Sequence, residues 1–315
     1  MWASARVTGA ACDAGRVPVR DRLLAVLVAV LWGLNFIAID LGMADLPPLM
    51  FVAIRFVFVV FPAIFFVPKP DAAWRTILLI GAFMSLGQFS LLYLAISLGM
   101  PAGMASLVLQ AQVLFTVLLA WVGLRERPRS EQLVGVLIGT VGLAIIAVAH
   151  GMQAPVIPLF VTLAAAAAWA IGNVLVRQAK VASGLSMVVW SGIVVPLPAL
   201  ALSLVLDGPA ALARGFAGFG WTAVLGTAYT VIAASLIGYT IFNSLLARHP
   251  ATSVVPYILL VPVVGIASAW LVMNEVPSAG ELIGAAIMLV GVAVAGGSFA
   301  LRSRSRASTD SPDAT

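Results

Sequence analysis

Charged residues are scarce in this chain of 315 residues, since Asp, Glu, Lys and Arg make up 9% of it and apolar residues 62%. A soluble globular domain carries about 25% charged residues, so this composition excludes one. Cysteine occurs once, as Cys12, which excludes an intramolecular disulfide. Lysine and histidine are almost as rare, and the full set is Lys69, Lys180, His150 and His249.

Ten long hydrophobic runs divide the chain. Crossing a hydrocarbon core of roughly 30 Å takes about 20 apolar residues in a helix. Open sheets cannot lie in lipid because their edge amides would stay unpaired, so the runs must be helices. The sequence predicts an all-α integral membrane protein with ten transmembrane spans, at 23–41, 48–67, 74–96, 101–123, 130–149, 156–177, 185–206, 218–246, 250–273 and 280–300.

The few lysines and histidines do not lie in the sequence motifs that common classes of enzyme require. Neither lysine ends a glycine-rich phosphate loop, so the chain has no ATPase motif of its own. The two histidines lie at the ends of different spans, without a second histidine or a carboxylate at ligand spacing. No G-x-S-x-G run indicates a serine nucleophile, which leaves an intramembrane hydrolase as the remaining catalytic alternative. We therefore expect no enzyme, no metal site and no cofactor.

A segment of the first half recurs in the second, where residues 101–144 align without a gap with residues 250–293. The copies share packing residues, including Pro101 with Pro250, Trp121 with Trp270, Gly135 with Gly284 and Gly142 with Gly291. They differ in charge, because Arg125, Arg127 and Arg129 are replaced by Asn274, Val276 and Ser278. Arginine-rich loops stay in the cytoplasm, so copies that face opposite sides need opposite charge. The repeat predicts two inverted five-helix halves.

Basic residues indicate the orientation. With the N-terminus inside, Arg214 is the one basic residue in an outer loop and Arg55 the one within a span. This asymmetry favours both termini in the cytoplasm, and the net charge of +5 then gives no indication of a nucleic-acid partner. The expected partners are the lipid bilayer and a small-molecule substrate. The predicted parts are a cytoplasmic tail (1–21), a first repeat (22–150), a second, inverted repeat (151–301) and a disordered cytoplasmic tail (302–315).

Arg55 is the most informative polar residue within a span. An arginine at mid-span costs about 3 kcal/mol on insertion scales, so it needs a partner or a function. It either pairs with Asp40 or with carbonyls, or attracts the carboxylate of a small anionic or zwitterionic substrate, or reaches to the interface. Asp40 is the only carboxylate well inside a span and hence the one candidate for proton coupling.

Other polar and aromatic side chains form stripes on several spans. Trp169, Asn173 and Arg177 follow each other at i, i+4 and i+8 in the sixth span, and Trp32 and Asn35 share a face of the first. Single residues of this kind more often form interhelical hydrogen bonds than bind ligands. Inverted symmetry, however, brings both faces together near the midplane. The predicted substrate site comprises Trp32, Asn35, Arg55, Gln88, Gln110, Trp169, Asn173 and Tyr239.

The remaining features are interpreted as structural. We assign Gln112 and Thr116 to packing. Glu126 and Glu275 lie beside prolines just before the fifth and tenth spans and fit helix-start chemistry there. Small-residue faces permit close helix packing, with a homodimer through the fifth and tenth spans as the alternative. These faces consist of Gly135, Gly139, Gly142, Gly284 and Gly291.

Five segments carry a resemblance to a known family: WGLNFIAI from Trp32, PPLMFVAIRF from Pro47, FPAIFF from Phe61, GMPAGMASLVLQAQ from Gly99 and LLVPVVGIASAWLVMNE from Leu259. Over nearly all of residues 22–300 the chain resembles the drug/metabolite transporter superfamily, in its EamA-type branch, and within it the bacterial exporters of O-acetylserine and cysteine. The resemblance implies ten helices in two inverted halves, the bacterial inner membrane and no cofactor. It departs from the family at Asp40, where the pattern often has a lysine.

We therefore expect a secondary active transporter that exports small amino-acid-type metabolites, such as cysteine or O-acetylserine, by alternating access. The alternative is a drug/metabolite carrier for another cargo: another amino acid, a purine or an amphiphilic cation. A non-transporting membrane subunit would not need a polar cavity lined by both halves. A channel would need a ring of pore-lining charges, which the sequence does not show.

Overall fold

A computed structural model describes residues 18–125, 128–151, 156–179, 184–249, 254 and 257–295. Every regular element within these ranges is helical, as lipid requires of a spanning chain. The α-helices are α1 (Val19–Gly42), α2 (Pro48–Val60), α3 (Trp74–Ile80), α4 (Gln88–Ser97), α5 (Ala102–Val108), α6 (Ala111–Leu124), α7 (Ser130–Gly151), α8 (Ile157–Ala179), α9 (Gly184–Gly192), α10 (Pro196–Leu206), α11 (Pro209–Ala217), α12 (Trp221–Ala228), α13 (Gly238–Arg248), α14 (Leu260–Met273) and α15 (Ala279–Ala295).

Several of these helices join into membrane spans. A first π segment, Gly81–Gly87, connects α3 to α4, and a second, Tyr229–Ile237, connects α12 to α13. Seven stretches of the described chain are long and apolar enough to cross a membrane, and α9 with α10, bent by 45°, would make an eighth. The apolar helices α14 and α15 are shorter and border on residues outside the described ranges. The chain is thus an all-helical membrane protein, and the count of ten spans stays a prediction.

The fourth and ninth spans, which are copies of each other, pack antiparallel. Gly103 near the start of α5 lies against Ala269 late in α14, and a β carbon added to Gly103 would be 3.1 Å from that of Ala269. Ser106, one turn further along α5, meets Gly265, one turn earlier in α14. Because a span and its own copy run in opposite directions here, this contact has the orientation that the predicted inversion of the two halves requires.

The fifth and tenth spans meet along a contact that we call the glycine seam, formed by Gly135, Gly139 and Gly142 of α7 with Gly284 and Gly291 of α15. A β carbon on Gly284 would lie 2.8 Å from the carbonyl oxygen of Gly142, and one on Gly291 would meet the backbone of Gly139. Packing within the chain therefore uses these faces. The alternative, a homodimer through the fifth and tenth spans, stays a prediction.

The two copies also end their helices alike. Arg125 after α6 and Asn274 after α14 occupy equivalent positions in the repeat, and both adopt a left-handed conformation, with φ of 53° and 56°. They are the only residues other than glycine with a positive φ in the described part of the chain. A left-handed residue at this point closes a helix C-terminus.

Glu275 caps the N-terminus of a helix, but the helix is α5 and not the adjacent helix that the sequence predicts. Its two carboxylate oxygens accept hydrogen bonds from the amides of Ala102 (3.0 Å) and Gly103 (3.1 Å) at the start of α5. The left-handed turn at Asn274 directs the next residue away from its own helix and towards the other half. Helix α15 is capped instead by Ser278 and Glu281, whose amides and side chains bond reciprocally. The corresponding prediction for Glu126 lies outside the described residues.

We expect Glu275→Gln to destabilise the fold by about 1 kcal/mol, because an amide retains only one acceptor for the two backbone donors of α5. The measurement is the unfolding temperature of the purified protein in detergent. Asp45→Asn, at an exposed carboxylate between α1 and α2, is the matched control. Equal unfolding temperatures for the two variants would contradict the capping role.

Candidate functional site

Arg55 lies at the centre of the molecule, on α2, with 2% of its surface exposed. Its Nη1 donates to the hydroxyl of Tyr93 on α4 (2.8 Å), and its Nη2 donates to Oγ of Ser235 in the second π segment (3.1 Å). The guanidinium also lies over the ring of Phe89, 4.2 Å from the centroid, a cation–π contact. Side chains from both halves thus hold the cation in place.

The structure does not bring Asp40 to Arg55. Within the described residues, no acidic side chain forms an ion pair with Arg55. Asp40 is only partly buried near the end of α1, where the nearby charge is that of Glu275. Moreover, Nε of Arg55 is buried without a hydrogen-bond partner. The guanidinium therefore keeps both an uncompensated positive charge and unused donors.

A cavity of about 290 Å³ lies beside the guanidinium. Its walls come from both halves of the chain and include α1, α2, α4, α8, α13 and the break between α5 and α6. All eight residues of the predicted substrate site line it, namely Trp32, Asn35, Arg55, Gln88, Gln110, Trp169, Asn173 and Tyr239. Asp40 is not among the lining residues, so its role in coupling stays a prediction.

An aromatic cluster forms one wall of this central cavity. The ring of Trp32 packs against Tyr239 and Phe242, with centroids 5.1 and 5.2 Å away. The indole Nε1 donates to the carbonyl oxygen of Ala234 (2.9 Å), which fixes the ring in place. Aromatic faces attract cations as well as apolar groups, so this wall can accept the cationic group or an apolar side chain of a small zwitterion.

The two π segments position the polar residues around the cavity. They lie at corresponding places in the third and eighth spans, and each is followed directly by a helix that carries a cavity residue, Gln88 in α4 and Tyr239 in α13. A π turn shifts the register of a helix and frees carbonyl groups, which is why such turns are frequent at functional sites. Here Ala234, within the second segment, supplies the carbonyl that holds Trp32.

Asn35 contributes a polar group that the fold leaves unsatisfied. Its side chain is 8% exposed, and its Oδ1 has no hydrogen-bond partner. A buried acceptor without a donor costs about 1–3 kcal/mol. Asn35 and Arg55, which both line the central cavity, therefore each hold a side-chain atom without a hydrogen-bond partner.

Gln112 is predicted to be a packing residue, yet it lines the central cavity. Its Oε1 accepts a hydrogen bond from Nδ2 of Asn173 (2.7 Å), and Thr116 lies 3.4 Å from the same nitrogen. Sequence reasoning also missed Phe89 and Tyr93, which contact Arg55. Their i, i+4 spacing, with Phe89 directly after Gln88, is the signal that could have indicated them.

The chain matches the model of the EamA-like transporter family twice, over residues 22–148 and 156–297. It is 38% identical to a protein of Escherichia coli K12 named "Probable amino-acid metabolite efflux pump", over 87% of this chain and 93% of the relative. The same name belongs to a relative in Salmonella typhimurium LT2, also 38% identical, over 92% of this chain and 99% of that one.

A solved crystal structure has a similar fold. It superposes with a TM-score of 0.57, covers 88% of this chain and 96% of its own, and is 20% identical in sequence. At that identity the similarity shows the shared helical architecture and gives no information on the ligand.

Proposed function

Because the chain belongs to the EamA-like transporter family, we propose that it exports small amino-acid-type metabolites across the bacterial inner membrane as a secondary active transporter. Cysteine and O-acetylserine are the first candidates. The printed names of the relatives support an amino-acid-type cargo. The proposed topology has ten spans with both termini in the cytoplasm, and the two inverted halves alternate access to the cavity between them.

The observation that carries this proposal is the uncompensated charge of Arg55. Leaving a cation buried without an anion is costly, and a ligand that supplies one recovers much of that cost. A guanidinium presents its donors in a planar fork that fits a carboxylate. Since no carboxylate of the described residues lines the central cavity, the site favours an anionic or zwitterionic cargo over a free cation.

The second charge of a zwitterion also finds partners in the cavity. The unsatisfied Oδ1 of Asn35 can accept from an ammonium after a modest rotation of the amide. The faces of Trp32 and Tyr239 add cation–π attraction. This combination fits an α-amino acid better than a purine, which brings no carboxylate to Arg55.

The test is radiolabelled cysteine and O-acetylserine counterflow in proteoliposomes that contain only this protein. Cysteine methyl ester lacks the carboxylate and N-acetylcysteine lacks the ammonium. We expect each to compete at least about tenfold more weakly than cysteine, because each loses a charge-assisted hydrogen bond. Absence of exchange in protein shown to be folded would reject the cysteine-pathway cargo, and rates that never saturate would indicate a channel.

Asn35→Leu is expected to raise KM for the zwitterionic cargo by about tenfold, since the substrate ammonium loses a neutral acceptor. The maximal rate should change less, because the variant retains Arg55. Counterflow rates over a range of cargo concentrations separate the two effects. Ser97→Ala, at the exposed end of α4, is the control. An unchanged KM in Asn35→Leu would remove this residue from the ammonium site.

A further inference from the structure

A second cavity, of about 300 Å³, lies next to the central one. It is formed by α6, α8, the start of α7 and the adjacent Pro128, on the side predicted to face the cytoplasm. Its polar wall contains Gln112, Thr116, Gln132, Asn173 and Arg177, and its apolar wall includes Trp121 and Pro128. Polar side chains in spans commonly bond across helices, but a space of this size with polar walls can also hold water or a polar solute.

Among the described residues, Gln112 and Asn173 alone line both cavities. The hydrogen bond between their side chains, 2.7 Å long, therefore lies at the boundary. Along α8, the residues of the polar stripe follow the same order from the central cavity to the second one. Trp169 lines the central cavity, Asn173 lines both, and Arg177, two turns after Trp169, lines the second alone.

We propose that the second cavity is the inner vestibule through which cargo reaches the central cavity, and that the Asn173–Gln112 pair is its gate. The passage of a zwitterion rests on the proposed function, whereas the gate itself does not. An amide pair suits this task because water or the polar ends of the cargo can replace its hydrogen bond.

The gate can be tested without knowing the cargo. In a Cys12→Ser background, which removes the only cysteine, a reporter cysteine replaces Ile258 in the central cavity or Val113 in the vestibule. A membrane-impermeant thiol reagent is then applied to inside-out vesicles. We expect rapid labelling at Val113→Cys. At Ile258→Cys, labelling should become at least about fivefold faster when Gln112→Ala and Asn173→Ala remove the pair, the shift expected from losing one hydrogen bond.

Thr140→Ala is the matched control, since it removes a hydroxyl on neighbouring α7 and leaves the pair intact. If removing the pair leaves the labelling rate of Ile258→Cys unchanged, the pair is not a gate. Slow labelling of Val113→Cys in inside-out vesicles, with fast labelling in right-side-out ones, would overturn the inner position of the vestibule.

Counterflow supplies a second readout. Leucines at both positions should close the boundary with apolar groups and lower the maximal rate of exchange at saturating cargo at least about tenfold. Undiminished exchange in this double variant would also contradict the gate. If the unaltered protein exchanges none of the amino acids but the labelling result holds, the proposed cargo is wrong and the gate stands.

Discussion

Arg55→Ala is expected to lower kcat/KM for zwitterionic cargo at least about 100-fold, as truncating a buried, hydrogen-bonded charge partner costs roughly 2–5 kcal/mol. Arg55→Lys should retain part of the activity, because an ammonium keeps the charge but cannot offer a planar fork of donors. Counterflow in proteoliposomes measures both variants. Arg214→Ala, at an exposed arginine of α11, is the control for the loss of a positive charge.

The thermal stability of an Arg55 variant distinguishes a role of this residue in cargo binding from a structural role. Removing an uncompensated buried charge relieves a desolvation cost, whereas the buried hydroxyl of Tyr93 loses its partner at a cost of about 1–3 kcal/mol, so Arg55→Met should unfold near the temperature of the unaltered protein. If Arg55 binds the cargo, this variant is folded and inactive. A strongly destabilised Arg55→Met, or full exchange by Arg55→Ala, would make Arg55 a structural residue.

Gly291→Val is expected to abolish the folded protein. A β carbon at Gly291 would meet the backbone of Gly139, and a backbone cannot yield as a flexible side chain can. Overpacking of a well-packed interior costs about 1–3 kcal/mol and more where nothing can shift. The measurement is the yield of monodisperse protein after solubilisation in detergent.

Gly123→Ala is the matched control for this substitution. It lies on α6, where nothing stands within 4 Å of an added β carbon. Alanine is a better helix former than glycine by about 1 kcal/mol, so Gly123→Ala should be neutral or slightly stabilising. A normal yield of Gly291→Val would show that the glycine seam does not determine the packing of α7 on α15.

Much of the candidate site could be predicted from the sequence, because polar side chains are rare within membrane spans and therefore stand out. A buried amide or cation is costly in a membrane, so Asn35, Arg55, Gln88 and Asn173 could be selected on chemistry alone. Helical periodicity then placed Trp169 and Asn173 on one face. The inverted repeat was visible because its packing residues are kept and its arginines are not.

Other features could not be predicted, because they depend on distances between segments that are far apart in the sequence. Whether Asp40 reaches Arg55 depends on how α1 lies against α2, and the structure keeps them apart. The π segments have no sequence signature, because the register shift arises from contacts with neighbouring helices rather than from local preference. Glu275 was assigned to the adjacent helix, since spacing could not show that the chain turns towards α5.

The glycine seam also limits how the protein can move. Because backbone lies against backbone at Gly135, Gly142 and Gly291, separation of α7 and α15 would lose close packing contacts that glycine, without a side chain, could not replace. We therefore expect the two halves to stay joined at this line during transport, and the rearrangement to occur in the helices around Arg55, namely α2, α4, α8 and α13.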